Sequence, residues 1–131
     1  MEKRIINPWK WQEKFGYVQA NEITDGKRVL YCAGQVSIDA EGRLVHAGNM
    51  RAQLVLALDN VETVLKAAGF ELSNVVRLNY YTTDVEQLVA NLDAIAGRLA
   101  EAECHYASTL LGVASLAFPQ LLVEIEATAV R

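Results

Sequence analysis

Near its C-terminus the chain reads "VEIEATAV", and Val123, Ile125, Ala127 and Ala129 alternate there with Glu124, Glu126 and Thr128. A period of two is the signature of a strand whose two faces differ. One face needs apolar cover, while the other carries two carboxylates and a hydroxyl. The rest of the chain therefore has to supply helices for the inner face and neighbouring strands for the edges.

Both are written in the sequence. Asn49 reads as the N-cap of a helix from Met50 to about Ala68. Its apolar stripe is Leu54, Leu58, Val61, Val64, Leu65 and Ala68, and Gly69 stops it. Thr83 with Glu86 three residues on makes a capping box, which opens a second helix striped by Leu88, Leu92, Ile95 and Leu99. Strands are predicted over Gly16 to Ile23, Arg28 to Gln35, Val75 to Thr82, Tyr106 to Ser115 and Leu121 to Val130. Asp25-Gly26 signals a hairpin between the first two, and "FPQ" at 118–120 turns between the last two. The predicted order is β-β-α-β-α-β-β. It describes one α+β domain over residues 1–131, a single mixed sheet with two helices packed on one face.

Two helices cover only one face of such a sheet. Yet "RVLYCAG" is apolar on both sides, with Val29, Tyr31 and Ala33 on one and Leu30 and Cys32 on the other. "ASTLLGVASL" is similarly short of charge. A solvated second face would alternate more cleanly. The second face is expected to lie against another chain, so the protein is read as an oligomer with Glu124 and Glu126 beside a subunit interface.

Composition narrows the function. With 52% hydrophobic and 21% charged residues in 131, the chain is globular. Its net charge of -4, with Lys and Arg clustered only at Lys3-Arg4 and Lys27-Arg28, argues against nucleic acid. "YASTLLGVASLAF" is too short and too interrupted to span a membrane, and "MEKRIINPWK" has no apolar stretch of the secretory kind. Cys32 and Cys104 make no metal or redox spacing, so a cytoplasmic protein with free thiols is expected, Cys32 as a buried strand residue. Cys104 and His105, near Glu101 and Glu103, lack a second ligand set, so no metal is expected. No Gly-rich phosphate loop points to a nucleotide cofactor, and neither histidine has a nucleophile partner. His46 reads as a solvated loop residue.

Taken in order, "IINPWKWQEKFGYVQA", "YCAGQVSID", "LDNVETVLKAAGFELSNVVRLNYYTTD" and "VEIEATAV" resemble the RidA/YjgF family of small enamine/imine deaminases over nearly the whole chain. The resemblance implies a chorismate-mutase-like fold assembled as a homotrimer, sheets inside and helices outside, with ligand clefts between subunits. It implies Glu124 as the acid that handles the hydrolytic water and Tyr17 as a residue shaping the pocket. It also places Ala33 and Gly34 where the family's Ser-Gly backbone contacts ligand, one hydroxyl short. The main departure is "CHYASTLLGV". Deaminating members carry an arginine in a Pro-Ala-Arg-Ser/Thr motif that clamps the substrate carboxylate, a task suited to a planar guanidinium fork. Here Ala107 stands at that position, with Ser108 and Thr109 following. Strand periodicity would put His105 on the face of Ala107, as a substitute donor.

Two functions stay open at this point. One is cofactor-independent hydrolysis of an enamine or imine, with Glu124 managing water and Tyr17, Ala33, Gly34, His105, Ala107 and Thr109 around the substrate. The other is a metabolite-binding or regulatory trimer that lost the chemistry with the arginine. Trp9 and Trp11 in "NPWKWQEK" would either roof the cleft or plug the N-terminal segment into the core.

Overall fold

A computed structural model describes all 131 residues. Its strands are β1 (Glu2–Ile6), β2 (Ala20–Thr24), β3 (Val29–Tyr31), β4 (Val75–Thr82), β5 (Leu110–Gly112) and β6 (Val123–Val130). The helices are α1 (Met50–Ala67), α2 (Val85–Asn91) and α3 (Asp93–Glu101). β6 lies inside a four-stranded sheet of order β3-β6-β4-β5, antiparallel to both of its neighbours. β5 runs parallel to β4, reached through α2 and α3 as a crossover. The fold is mixed α+β.

Three features differ from the sequence reading. First, the sheet is not single. β2 pairs with β1, a strand over "EKRII" that its charges conceal, and the two form a separate antiparallel ribbon. "TDGK" therefore links two sheets rather than closing a hairpin. Asp25 takes the left-handed conformation there, and a Cβ on Gly26 would lie 2.5 Å from Val130 Cγ1, so glycine is set by close packing. Second, the second helix is two helices broken at Leu92. Its cap is Asp84, whose side chain accepts from the Gln87 N–H at 3.0 Å, and not Thr83. Third, the strands predicted over Arg28 to Gln35 and Tyr106 to Ser115 shrink to Val29–Tyr31 and Leu110–Gly112.

The core follows the alternation of β6. Val123, Ile125, Ala127 and Ala129 are buried beneath α1, which turns Leu54, Ala57, Leu58, Val61 and Leu65 onto them. Ile95 and Leu99 extend the cover from α3. A bulge between Val75 and Arg77 changes the phase of β4. Leu78, Tyr80 and Thr82 then point inward, and Arg77, Asn79 and Tyr81 reach the opposite, open face. On that face Tyr31 is 80% exposed and Val29 50% exposed. Sheet strands thus present apolar surface outward, as the two-faced "RVLYCAG" implies.

One polar residue ties the helix to the loops. The wholly buried Gln53 donates to the carbonyls of His46 (3.0 Å) and Gln120 (2.8 Å), and accepts from the Leu122 N–H at 2.8 Å. Gln53→Ala removes all three bonds and opens a void. The expected loss is about 2–4 kcal/mol in a urea unfolding titration.

Candidate functional site

Glu124 and Gly34 meet. The chain after β3 keeps contact with β6 through Cys32 N–H to Ala127 O at 2.9 Å, and through mutual Gln35–Ile125 bonds of 2.7 and 2.9 Å. Three residue steps on this side face two on β6, so the backbone bulges at Ala33–Gly34, a device that commonly re-aims groups beside sites. The Glu124 side chain lies against that bulge: a Cβ on Gly34 would sit 2.6 Å from its Cδ and Oε1. Only glycine leaves room for it. Neither the Ala33 nor the Gly34 N–H donates within the protomer, which leaves two unpaired amides next to a carboxylate.

The two acids of the motif have different surroundings. Glu126 accepts from Asn79 Nδ2 at 3.2 Å and from the Tyr81 hydroxyl at 3.0 Å, and this pairing holds the Tyr81 phenol above its usual range. Glu124 accepts no hydrogen bond from its own protomer. Partial burial first, and then the Glu126 charge, push its carboxyl above the ordinary glutamate range. A carboxylate raised in this way is a stronger base than an ordinary glutamate.

The remaining expected residues divide between two faces of the sheet. Ala107 is buried on the open side, bridged to Arg77 on β4 and to Val18. Thr109 is exposed and donates its N–H to Asn79 Oδ1 at 3.1 Å. Tyr17 and His105 line a different cavity, an apolar groove of about 450 Å3 on the helix side with Leu92, Leu99, Tyr106 and Ser108. His105 therefore does not share a face with Ala107. Residues 104–106 precede the first bridge of this segment and are not a regular strand, so period two does not apply to them. In that groove the Tyr80 and Tyr106 hydroxyls are 3.4 Å apart, and burial pushes the Cys104 thiol up to about 12, so it is a neutral wall rather than a nucleophile. Trp9 and Trp11 stack at 6.2 Å, and Trp11 meets Tyr17 edge-on at 6.5 Å. Each is more than half exposed, at 56% and 55%, so they do not plug the core. No three His, Cys, Asp or Glu side chains gather as a metal site would require. No helix is long and apolar enough to cross a membrane.

A family model described as Endoribonuclease L-PSP matches residues 12–131. The chain belongs to the RidA/YjgF family. A solved structure of a Rid-family protein from Yersinia pestis matches with 38% identity and a TM-score of 0.87, covering 100% of both chains. The YjgF gene product of E. coli matches at 26% identity and a TM-score of 0.71, over 88% of this chain and 87% of that one. A goat protein named 2-iminobutanoate/2-iminopropanoate deaminase is 33% identical over 67% of this chain. The matched segments span 63% of that protein and 65% of a RutC family protein from Saccharolobus solfataricus.

Sequence reasoning missed Arg77; it expected the Ala33–Gly34 backbone at the ligand but not the bulge there, which leaves both amides unpaired. A bulge in β4 turns Arg77 outward, out of the alternation that an unbroken strand would keep with Val75.

The environment of Glu124 is testable in two ways. Carboxyl-carbon NMR is expected to show it titrating above ordinary glutamates, and shifting down in Glu126→Gln. Linkage gives a sign as well: with the folded value raised, protonated Glu124 favours the fold, and that contribution is lost as pH rises through the raised value. Between pH 4 and pH 8, Glu124→Gln should gain stability relative to wild type.

Proposed function

We propose that this protein hydrolyses reactive imines, or their enamine tautomers, to a carbonyl product and ammonia, in clefts between the subunits of a homotrimer. One observation carries the reading: a partly desolvated, unpartnered carboxylate at Glu124 lies against the unpaired amides of Ala33 and Gly34. An imine carbon is already electrophilic, so the reaction needs a positioned water, a base and orientation more than covalent catalysis. In the proposed sequence Glu124 takes a proton from water as its oxygen bonds to the imine carbon. It returns the proton to nitrogen, which gives an amino alcohol. Glu124 then takes the hydroxyl proton and delivers it to the amine as the carbonyl forms, the carbon–nitrogen bond breaks and ammonia leaves. The bulge amides hold a ligand oxygen in place. The goat relative's name, which specifies an imine deaminase, supports the same class of reaction.

Assembly supplies what one protomer separates. Tyr17 on the helix side and Glu124 on the open side would share a cleft when the edge of one subunit meets the open face of the next. The exposed Val29, Tyr31 and Leu111 give that face apolar surface to bury. A second reading, a trimer that binds metabolites without turning them over, is favoured by Ala107 at the position of the family arginine.

The test uses imines generated in situ by an amino-acid oxidase. Wild type is expected to accelerate ammonia release, and Glu124→Gln to lose roughly 100-fold or more, the lower end for an acid–base group. No acceleration of charged or neutral imines by wild type would leave the binding trimer. A monomer in sedimentation at micromolar concentration would remove the shared cleft.

A further inference from the structure

We propose that Arg77 is the carboxylate anchor of this protein, standing in on β4 for the arginine that Ala107 replaces. Seven arginines are present in the chain. Arg4, Arg43, Arg51 and Arg98 pair with carboxylates. Arg28 and Arg131 donate to the carbonyls of Ala68 and Gly69. Arg77 is exposed, and its one contact is a long 3.4 Å approach to the Asn79 side-chain oxygen. It is the guanidinium left uncommitted by the fold.

Its place is set by strand register. Tyr31 lies opposite Thr128, Thr128 opposite Arg77, and Arg77 beside Ala107. The four residues form one row across the open face, neighbouring strands being about 4.8 Å apart. A cavity of about 420 Å3 is lined by all four. The methyl group of Ala107 leaves the space above the row to the guanidinium, and Tyr31 and Thr128 add two hydroxyls on its far side. The row holds a planar fork, neutral donors and no carboxylate. Glu126, the nearest acid along β6, is already bonded to Asn79 and Tyr81. This arrangement fits a small ligand with a carboxylate, held through two parallel bonds, and an adjacent oxygen or nitrogen. Lysine would supply the charge without the fork.

The inference rests on the imine-hydrolysis reading for the chemistry after binding, but binding tests it alone. Pyruvate serves as the carboxylate probe and acetone as its neutral counterpart, with affinity followed by ligand-observed NMR. Wild type is expected to bind pyruvate, Arg77→Gln to bind it roughly 10- to 100-fold more weakly, and Arg77→Lys to fall between them. Acetone is expected not to distinguish the three. The Arg77 side chain makes only one long hydrogen bond in the protomer, so circular dichroism and sedimentation are expected to show both variants folded and assembled as wild type is. Equal pyruvate affinity in wild type and Arg77→Gln overturns the assignment, and so does a wild type that does not bind pyruvate. Arg77-dependent binding without imine turnover supports the anchor and sinks the proposed reaction. Turnover of charged imines that survives Arg77→Gln with KM unchanged supports the reaction and sinks the anchor.

Discussion

Everything in this fold leans on β6. It is hydrogen-bonded on both edges, to β3 and β4, while α1 lies across one of its faces. A strand so enclosed has no freedom of register: a slip of one residue would drive Glu124, Glu126 and Thr128 into the core and expose Ile125. Burial of the apolar face therefore fixes which way the carboxylates point. The same constraint positions the bulge at Ala33–Gly34, because Cys32 and Gln35 are both tied to β6.

The open face turns that constraint into chemical asymmetry. Two identical acids two residues apart end in different states because their cross-strand partners differ. Opposite Glu126 stands Asn79, with Tyr81 within reach; opposite Glu124 stands Tyr81, whose hydroxyl is already given to Glu126. Glu126 thereby becomes a satisfied structural acid that also lends its charge to Glu124. Like charge and partial burial act in one direction, toward a weaker acid and a stronger base. The glycine at position 34 completes the arrangement, since any side chain there would occupy the volume of the carboxylate.

The sequence was legible where periodicity is strict. β6, the span of α1 and the inward stripe of α3 follow from alternation and from spacings of three and four. So does an outward apolar surface around Tyr31. It was opaque where local signals compete with long-range pairing. "EKRII" looks like a solvated tail until Ala20–Thr24 pairs with it. Asp25-Gly26 looks like a hairpin turn because a left-handed residue before glycine serves equally well to pass from one sheet to another. His105 was placed by strand parity in a segment that is not yet a strand, and Arg77 was hidden by a bulge that no propensity announces. Glu124 and Gly34 could be brought together by family resemblance, but their contact depends on a ladder irregularity visible only in the pairing.

The backbone positions of Arg77 and Glu124 lie four residues apart along the open face, and their proposed roles depend on how the two side chains close that gap. Thr128, opposite Arg77, is four residues from Glu124, a backbone separation of about 13 Å at roughly 3.3 Å per residue, and the Arg77 guanidinium leans back along it toward Asn79. A guanidinium within ~4–6 Å of Glu124 would hold its carboxylate ionised and weaken it as a base. No arginine contributes to the surroundings that raise Glu124. In the proposed roles the anchor must attract an anion and the base must stay poorly neutralised, so the two demands conflict at short range. Moving the guanidinium from the position of Ala107 to Arg77 is a sideways step by one strand within the same row, which leaves the distance along the strands unchanged. That is the kind of exchange a sheet allows: neighbouring strands offer equivalent positions on one face, and the chemistry of a site depends on the position in the row more than on the strand that supplies it.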